Sequence, residues 1–292
     1  MPTLRKQRTI ARPCTVSGFG YWSGHNVRVE FHPAEVGHGI VFVRHDLQPA
    51  IRIPATVDHR LDTPLRTTLA VDGERVEMIE HILAALAGLD VDNCEVRVDA
   101  AEMPGCDGSS LPFSEAITTA GIVSQAAPIA ACLLVDRTLR LSHDDAWVEA
   151  RPGVRGGFTV EYHLDYGADG PIGRQSLSLD VTPETFRREL APSRTFMRLD
   201  EANRLRSQGI ATRATTRDLL VFDHQGPIDN RLRYADECVR HKMLDMVGDI
   251  ALAGRPIIGH IVAHRSGHRL NAALVRVLVE ECRLSYPLSR SA

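Results

Sequence analysis

The chain has 292 residues, enough for one large domain or two of ordinary size. Its 43% hydrophobic and 24% charged content is that of a soluble globular protein, and a net charge of −3 excludes the basic field that nucleic-acid binding needs. No apolar run reaches the ~18–20 residues of a membrane span, the N-terminal stretch lacks a signal-peptide core, and the six Cys show no CxxC spacing, so reduced thiols in a cytoplasmic protein are expected.

From about residue 9 to 57 the pattern is that of strands. Residues 26–31 alternate at period 2, and 39–44 form a short apolar run between turn formers. Asp72-Gly73 marks a turn. Residues 77–87 read as a helix, with Ile79, Ile82, Leu83 and Leu86 at i, i+3, i+4 and i+7 and Gly88 as its stop. A strand at 94–98 and a helix at 112–119 follow, and 122–130 read as a linker. The second half offers strands near 132–141, 146–151, 157–164 and 174–180, then helices at 183–190, 199–208 and 235–252, a strand at 257–263 and a helix at 271–280. Each half thus puts strands first and paired helices later. The expected fold is α+β with two similar domains, 1–126 and 131–292, without a repeat at sequence level.

The 235–252 helix is the most informative stretch. At ~100° per residue, His241, Asp245 and Asp249 fall at about 0°, 40° and 80°, with Lys242 near 100°. Val239, Met243, Met246, Val247 and Ile250 form the opposite, apolar arc. An imidazole and a carboxylate four residues apart either form an ion pair or reach one cation together. In the 77–87 helix every residue from Met78 to Ala87 is apolar or small except Glu80 and His81. An uncompensated buried charge is costly, so these two either face water or have partners. The second reading makes His81 a third metal ligand and Glu80 a general base beside it. His268 follows Arg265-Ser266-Gly267 in a turn before the last helix, either solvated or turned into a cleft, and Asp249 is a candidate to keep it protonated. By themselves, residues 193–196 and 102–109 are ordinary turns.

Taken in order, these pieces resemble the UDP-3-O-acyl-N-acetylglucosamine deacetylase (LpxC) family, the zinc amidases of lipid A synthesis, over nearly the whole chain. In the first half the matching residues are Ser23-Gly24, Gly39-Ile40-Val41-Phe42, Glu80-His81 with Ala84-Ala85-Leu86, Asp92-Asn93, and Glu102-Met103-Pro104 leading into Asp107-Gly108-Ser109. In the second half they are Arg194-Thr195-Phe196, Asp236-Glu237, Val239-Arg240-His241-Lys242, Leu244-Asp245, Gly248-Asp249 and Ser266-Gly267-His268. The resemblance implies two α+β domains whose helices pack face to face, with the site at their junction. It also implies Zn2+ on His81, His241 and Asp245, with Fe2+ as the alternative metal. Glu80 would take a proton from the attacking water. His268, oriented by Asp249, would serve the tetrahedral intermediate and the leaving amine. Thr195 would hydrogen-bond the oxyanion, Lys242 would assist by charge, Arg265 would stand near the nucleotide phosphates, and Phe196 would contact the substrate. That substrate is an acylated UDP-amino sugar, which loses its N-acetyl group. The expected protein is a cytoplasmic monomer with at most peripheral contact with the inner membrane.

Three departures stand out. Gly20-Tyr21-Trp22-Ser23-Gly24 has Trp where the family usually has His, and an indole cannot carry a proton as an imidazole does. Met197-Arg198 occupy places where small or aromatic residues are usual. Residues 210–218, with two Arg and three Thr, replace an apolar run that leads into the acyl passage. Either those side chains face outward or the substrate carries a different acyl group. The alternatives are therefore the same chemistry on another acylated or non-acylated amino sugar, and a non-catalytic binding relative. Two His and a carboxylate also make the triad of non-haem iron oxygenases, although here two ligands share one helix.

Overall fold

A computed structural model describes residues 5–153 and 156–285. The first half contains β1 (Lys6–Ile10), β2 (Cys14–Phe19), β3 (Asn26–Pro33), β4 (Ile40–Arg44), β5 (Ile51–Pro54), β6 (Arg60–Leu61), β7 (Thr68–Val71) and β8 (Glu74–Glu77). It continues with α1 (Glu80–Gly88), β9 (Cys94–Val98), α2 (Leu111–Ala120) and β10 (Ile122–Pro128). A five-stranded sheet runs β2-β3-β9-β4-β5 and a smaller one β6-β7-β8. In β3 the alternation works as expected, because Val27, Val29 and Phe31 are the buried set. The β7–β8 hairpin turns through Asp72 and Gly73, both at positive φ, which is what a tight two-residue loop requires.

The second half contains β11 (Cys132–Leu134), β12 (Leu139–His143), β13 (Ala146–Arg151), β14 (Phe158–Asp165), β15 (Arg174–Asp180), α3 (Pro183–Thr185), β16 (Phe196–Arg198), α4 (Leu199–Ser207) and β17 (Leu220–Phe222). It ends with α5 (Glu237–Ile250), β18 (Ile257–His264), α6 (His268–Glu281) and β19 (Arg283–Ser285). Seven of these strands form one sheet in which β18 pairs with β13, β14 and β11. The architecture is α+β, and α1 of the first half packs on α5 of the second. Buried apolar side chains form one continuous cluster across both halves.

Several boundaries differ from the sequence reading. Glu77 belongs to β8, and Met78, at φ 58°, separates that strand from the helix, which begins at Glu80. The expected linker at 122–130 is mostly strand: β10 pairs antiparallel with β1. We propose that the chain divides at the end of this strand, between 126 and 131. The strand placed at 132–141 is two, β11 and β12. The 183–190 helix is α3 followed by one wide turn, in which the Ala191 N–H reaches back to the Phe186 carbonyl at 2.8 Å. The last helix starts at His268 rather than 271, so His268 is its first residue instead of part of the preceding turn.

The α1–α5 approach has a specific cause. A Cβ on Gly248 would lie 2.1 Å from the Glu80 carbonyl oxygen, so only glycine permits the spacing. Gly88, at the other end of α1, is crowded in the same way by the Phe186 ring, at 2.3 Å from a Cβ. Replacing Gly248 by Ala should destabilise the fold by about 1–3 kcal/mol, lowering Tm by several degrees, since the clash is with backbone and cannot be relieved by a rotamer change. A thermal melt checks this, and an unchanged Tm would show that the helices are free to separate.

Candidate metal and catalytic site

His81 sits in the first turn of α1, and His241 and Asp245 lie one turn apart on α5. All three are buried, and one donor atom from each falls within 4.8 Å of the others. His241 Nε2 is 3.4 Å and His81 Nε2 3.6 Å from Asp245 Oδ1. A tetrahedral site with bonds of about 2.0–2.1 Å has edges of roughly 3.3–3.4 Å, so the three donors are spaced as ligands of one small cation. The rings meet edge to face, with centroids 5.2 Å apart. His241 Nδ1–H donates to the Ser193 carbonyl at 3.2 Å, which leaves Nε2 as the lone-pair nitrogen. Burial pushes the His241 imidazole down to about 3, so it is neutral and able to coordinate. Burial disfavours charge on Asp245, but His241 and Lys242 outweigh it and hold the carboxyl well below its usual range. Lys242 Nζ donates to Asp245 Oδ2 at 2.8 Å, leaving Oδ1 toward the imidazoles.

Beside these donors, Glu80 and the Asp249–His268 pair are joined by one residue. Thr67, just before β7, donates its backbone N–H to Glu80 Oε2 at 3.0 Å and its hydroxyl to Asp249 Oδ1 at 2.6 Å. The other oxygen of Asp249 meets His268 Nδ1 at 2.9 Å and accepts from Asn271 Nδ2 at 2.8 Å. Asn271 is fixed in turn by Ser266, whose hydroxyl donates to its Oδ1 at 2.6 Å. Burial opposes charge on His268, and the helix N-terminus opposes it too. The charge and hydrogen bond of Asp249, aided by Glu80 and Asp245, prevail and push the ring up to about 9. Glu80 moves upward because it is buried, against the pull of His268 and His81. Thr67, Asn271 and Ser193 escaped the sequence reading. Nothing in the string Arg66-Thr67-Thr68 marks a link to Asp249, which lies in the other half of the chain.

Thr195 and Phe196 flank the cluster. The Thr195 backbone is pinned on both sides, its N–H to the Gly108 carbonyl at 2.7 Å and its carbonyl to the Leu220 N–H at 2.9 Å. The Phe196 ring lies 6.1 Å from His241 and 5.7 Å from Tyr166. Arg194 is structural: its Nε and Nη2 donate to buried Glu237 at 2.8 and 3.1 Å, anchoring this loop to the start of α5. Arg265, at positive φ, is paired with the exposed Asp145 rather than drawn into the cluster. The polar 210–218 stretch faces outward, with Thr212, Arg213, Thr215 and Arg217 exposed and Ala214 buried. Arg213 lies over the Phe19 ring at 4.2 Å and donates to the Gly24 carbonyl at 2.8 Å, fastening the stretch to the 19–26 loop. In that loop buried Glu102 accepts from the backbone N–H of Trp22 and of Ser23, at 2.7 and 2.8 Å. The Arg66 guanidinium lies 4.4 Å from the centre of the Trp22 ring.

Comparison with known proteins gives a match of residues 7–280 to the family model described as LpxC, UDP-3-O-acyl N-acetylglycosamine deacetylase. A UDP-3-O-acyl-N-acetylglucosamine deacetylase of Myxococcus xanthus (strain DK1622) is 38% identical over 282 residues, 96% of this chain and 88% of that protein. One of Shewanella sp. (strain W3-18-1) is 39% identical over 279 residues, 94% of this chain and 90% of its own.

The His268–Asp249 pair has a pH signature. The folded pKa is raised above the ordinary 6.5, so the pair's contribution to stability is complete below about 6.5 and is lost as pH rises through about 9. In metal-free protein, NMR should find the His268 ring titrating near 9, and Asp249→Asn should bring it down toward 6.5. A wild-type ring titrating at or below 6.5 would exclude this pairing.

Proposed function

This chain belongs to the LpxC family of UDP-3-O-acyl-N-acetylglucosamine deacetylases, and on that premise we propose that it hydrolyses the N-acetyl group of a UDP-3-O-acyl-N-acetylglucosamine, an early step of lipid A biosynthesis. The observation that carries the reading is the buried set of two imidazole nitrogens and one carboxylate oxygen, spaced for one cation and bordered by a carboxylate and a charged imidazole. His81, His241 and Asp245 would hold the ion, which we take to be Zn2+, with Fe2+ suited to the same donors. When bound, such an ion supplies Lewis-acid charge that polarises the acetyl carbonyl and acidifies water.

Everything else falls to the side chains. Glu80 accepts the proton of the attacking water, whose oxygen bonds to the acetyl carbon. Thr67 and Asp249 keep Glu80 and His268 in fixed relation. The Thr195 hydroxyl donates to the carbonyl oxygen as negative charge builds on it, and Lys242 adds positive charge nearby. His268, charged at neutral pH, gives its proton to the amine nitrogen as the C–N bond breaks, leaving acetate and a free glucosamine amine. Phe196 and Arg265 stand as substrate contacts. No helix among the described residues is long and apolar enough to cross a membrane. We place the enzyme in the cytoplasm as a monomer that touches the inner membrane only peripherally.

Exposure of Thr212, Arg213, Thr215 and Arg217 supports the reading in which other residues form the acyl passage. The decisive test is turnover of UDP-3-O-(R-3-hydroxymyristoyl)-GlcNAc with metal analysis alongside. Glu80→Ala should keep one equivalent of metal while kcat/KM falls about 10²–10⁴-fold, whereas His241→Ala should lose the metal. Wild-type rates in metal-replete Glu80→Ala would end the proposed role of Glu80. Activity should also be bell-shaped in pH, with an acidic limb from Glu80 and a basic limb from His268, and a flat profile from pH 5 to 9 would count against the pair.

A further inference from the structure

The loop that delivers Thr67 to the catalytic pair also carries Arg66. This arginine is held in a way that leaves its hydrogen bonds largely unspent. Its side chain is mostly buried, and its Nε is buried without any hydrogen-bond partner among the described residues. Its ion pair with Glu77 is long, Nη2 to Oε1 at 3.5 Å, and Arg75 holds the same oxygen more closely, at 2.8 Å. The remaining restraint is the face of Trp22, 4.4 Å from the guanidinium carbon. Attraction to a ring face orients a guanidinium while consuming none of its five N–H donors. The platform itself is rigid, because the backbone of Trp22 and Ser23 is tied to Glu102.

Of the other cations near the site, Lys242 is bonded to buried Asp245 and Arg194 to buried Glu237, while Arg265 pairs with Asp145 at the exposed surface. A partly buried guanidinium whose Nε has no partner and whose Nη2 makes only a long contact to Glu77, one peptide bond from the residue that bridges Glu80 and Asp249, is placed to receive an anion. Within the substrate class proposed above, the charged group is the diphosphate, and a guanidinium fork fits phosphate oxygens in a bidentate manner.

Resting on that reading of the substrate, we propose that Arg66, presented on the indole of Trp22, is a specificity-determining residue that binds the diphosphate of the nucleotide sugar. Trp22 is its positioning residue. The pair supplies a permanent positive charge beside a Gly-Tyr-Trp-Ser-Gly run that carries no cationic side chain of its own.

The experiment pairs kinetics on the acylated UDP-GlcNAc substrate with calorimetric titration of UDP, both on metal-loaded protein. Arg66→Gln should raise KM about tenfold with kcat within about twofold, and should weaken UDP by a similar factor. Arg66→Lys should recover part of the loss, and Trp22→Leu should show a smaller loss of the same kind. Raised salt should weaken UDP less in Arg66→Gln than in wild type, since one fewer charge is screened. Arg52→Gln, which removes an exposed arginine paired with Glu95, serves as the control for net charge and should leave both values unchanged. Melting temperatures identify any variant that is misfolded. Unchanged KM and UDP affinity in folded Arg66→Gln would overturn the proposal, and so would a loss confined to kcat, which would make Arg66 merely a support for Thr67. If wild type failed to turn over the substrate, the deacetylase reading would fall. The UDP titration would still decide the role of Arg66, dependence supporting it and independence overturning it.

Discussion

The catalytic architecture depends on how closely α1 and α5 approach. The absence of a side chain at Gly248 lets the α5 backbone rest against the Glu80 carbonyl. That contact sets the distance between His81 on one helix and His241 and Asp245 on the other. It also places Asp249, one turn beyond Asp245, where Thr67 can reach it while still holding Glu80. The three candidate ligands and Glu80 are therefore positioned by a single helix pair, while His268 comes from the start of α6. Rigid elements hold such geometry more exactly than loops can.

The buried charges at this junction are unbalanced without a cation. Glu80, Asp245 and Asp249 bring three carboxylates, while Lys242 and His268 bring two positive charges. Each group has a hydrogen bond or charged neighbour, yet the Nε2 atoms of His81 and His241 both face Asp245 Oδ1. Groups in this state cost stability unless something compensates them. A dication at the three donors would supply that compensation, and would act in a low-dielectric setting where its field on a bound amide is strong.

Legibility in the sequence followed locality. The edge formed by His241, Asp245 and Asp249 could be read because helical periodicity alone places those residues together. Glu80 and His81 stood out as the polar residues of an otherwise apolar segment. The start of the helix at Glu80 could not be seen, because it depends on the positive φ of Met78, which no pattern announces. Strand β10 looked like a linker because its side chains are half exposed and it earns its place through pairing with β1. Thr67 and Asn271 were invisible for a deeper reason: hydrogen bonds to Asp249 join segments far apart in the chain. The Arg and Thr of 210–218 were read as a poor apolar lining, and in the fold Thr212, Arg213, Thr215 and Arg217 are exposed.

One consequence of the ligand arrangement concerns the life of the protein rather than its chemistry. His81 and the His241–Asp245 pair belong to segments that many residues separate, so an ion held by both ties the two halves of the chain together. Binding that favours only the folded state adds to its stability with the logarithm of the ratio of ion concentration to dissociation constant. A cell short of the metal would therefore hold fewer intact copies, because loosened chains are exposed to proteases. Metal supply would set how much of the protein exists as well as how fast each copy works.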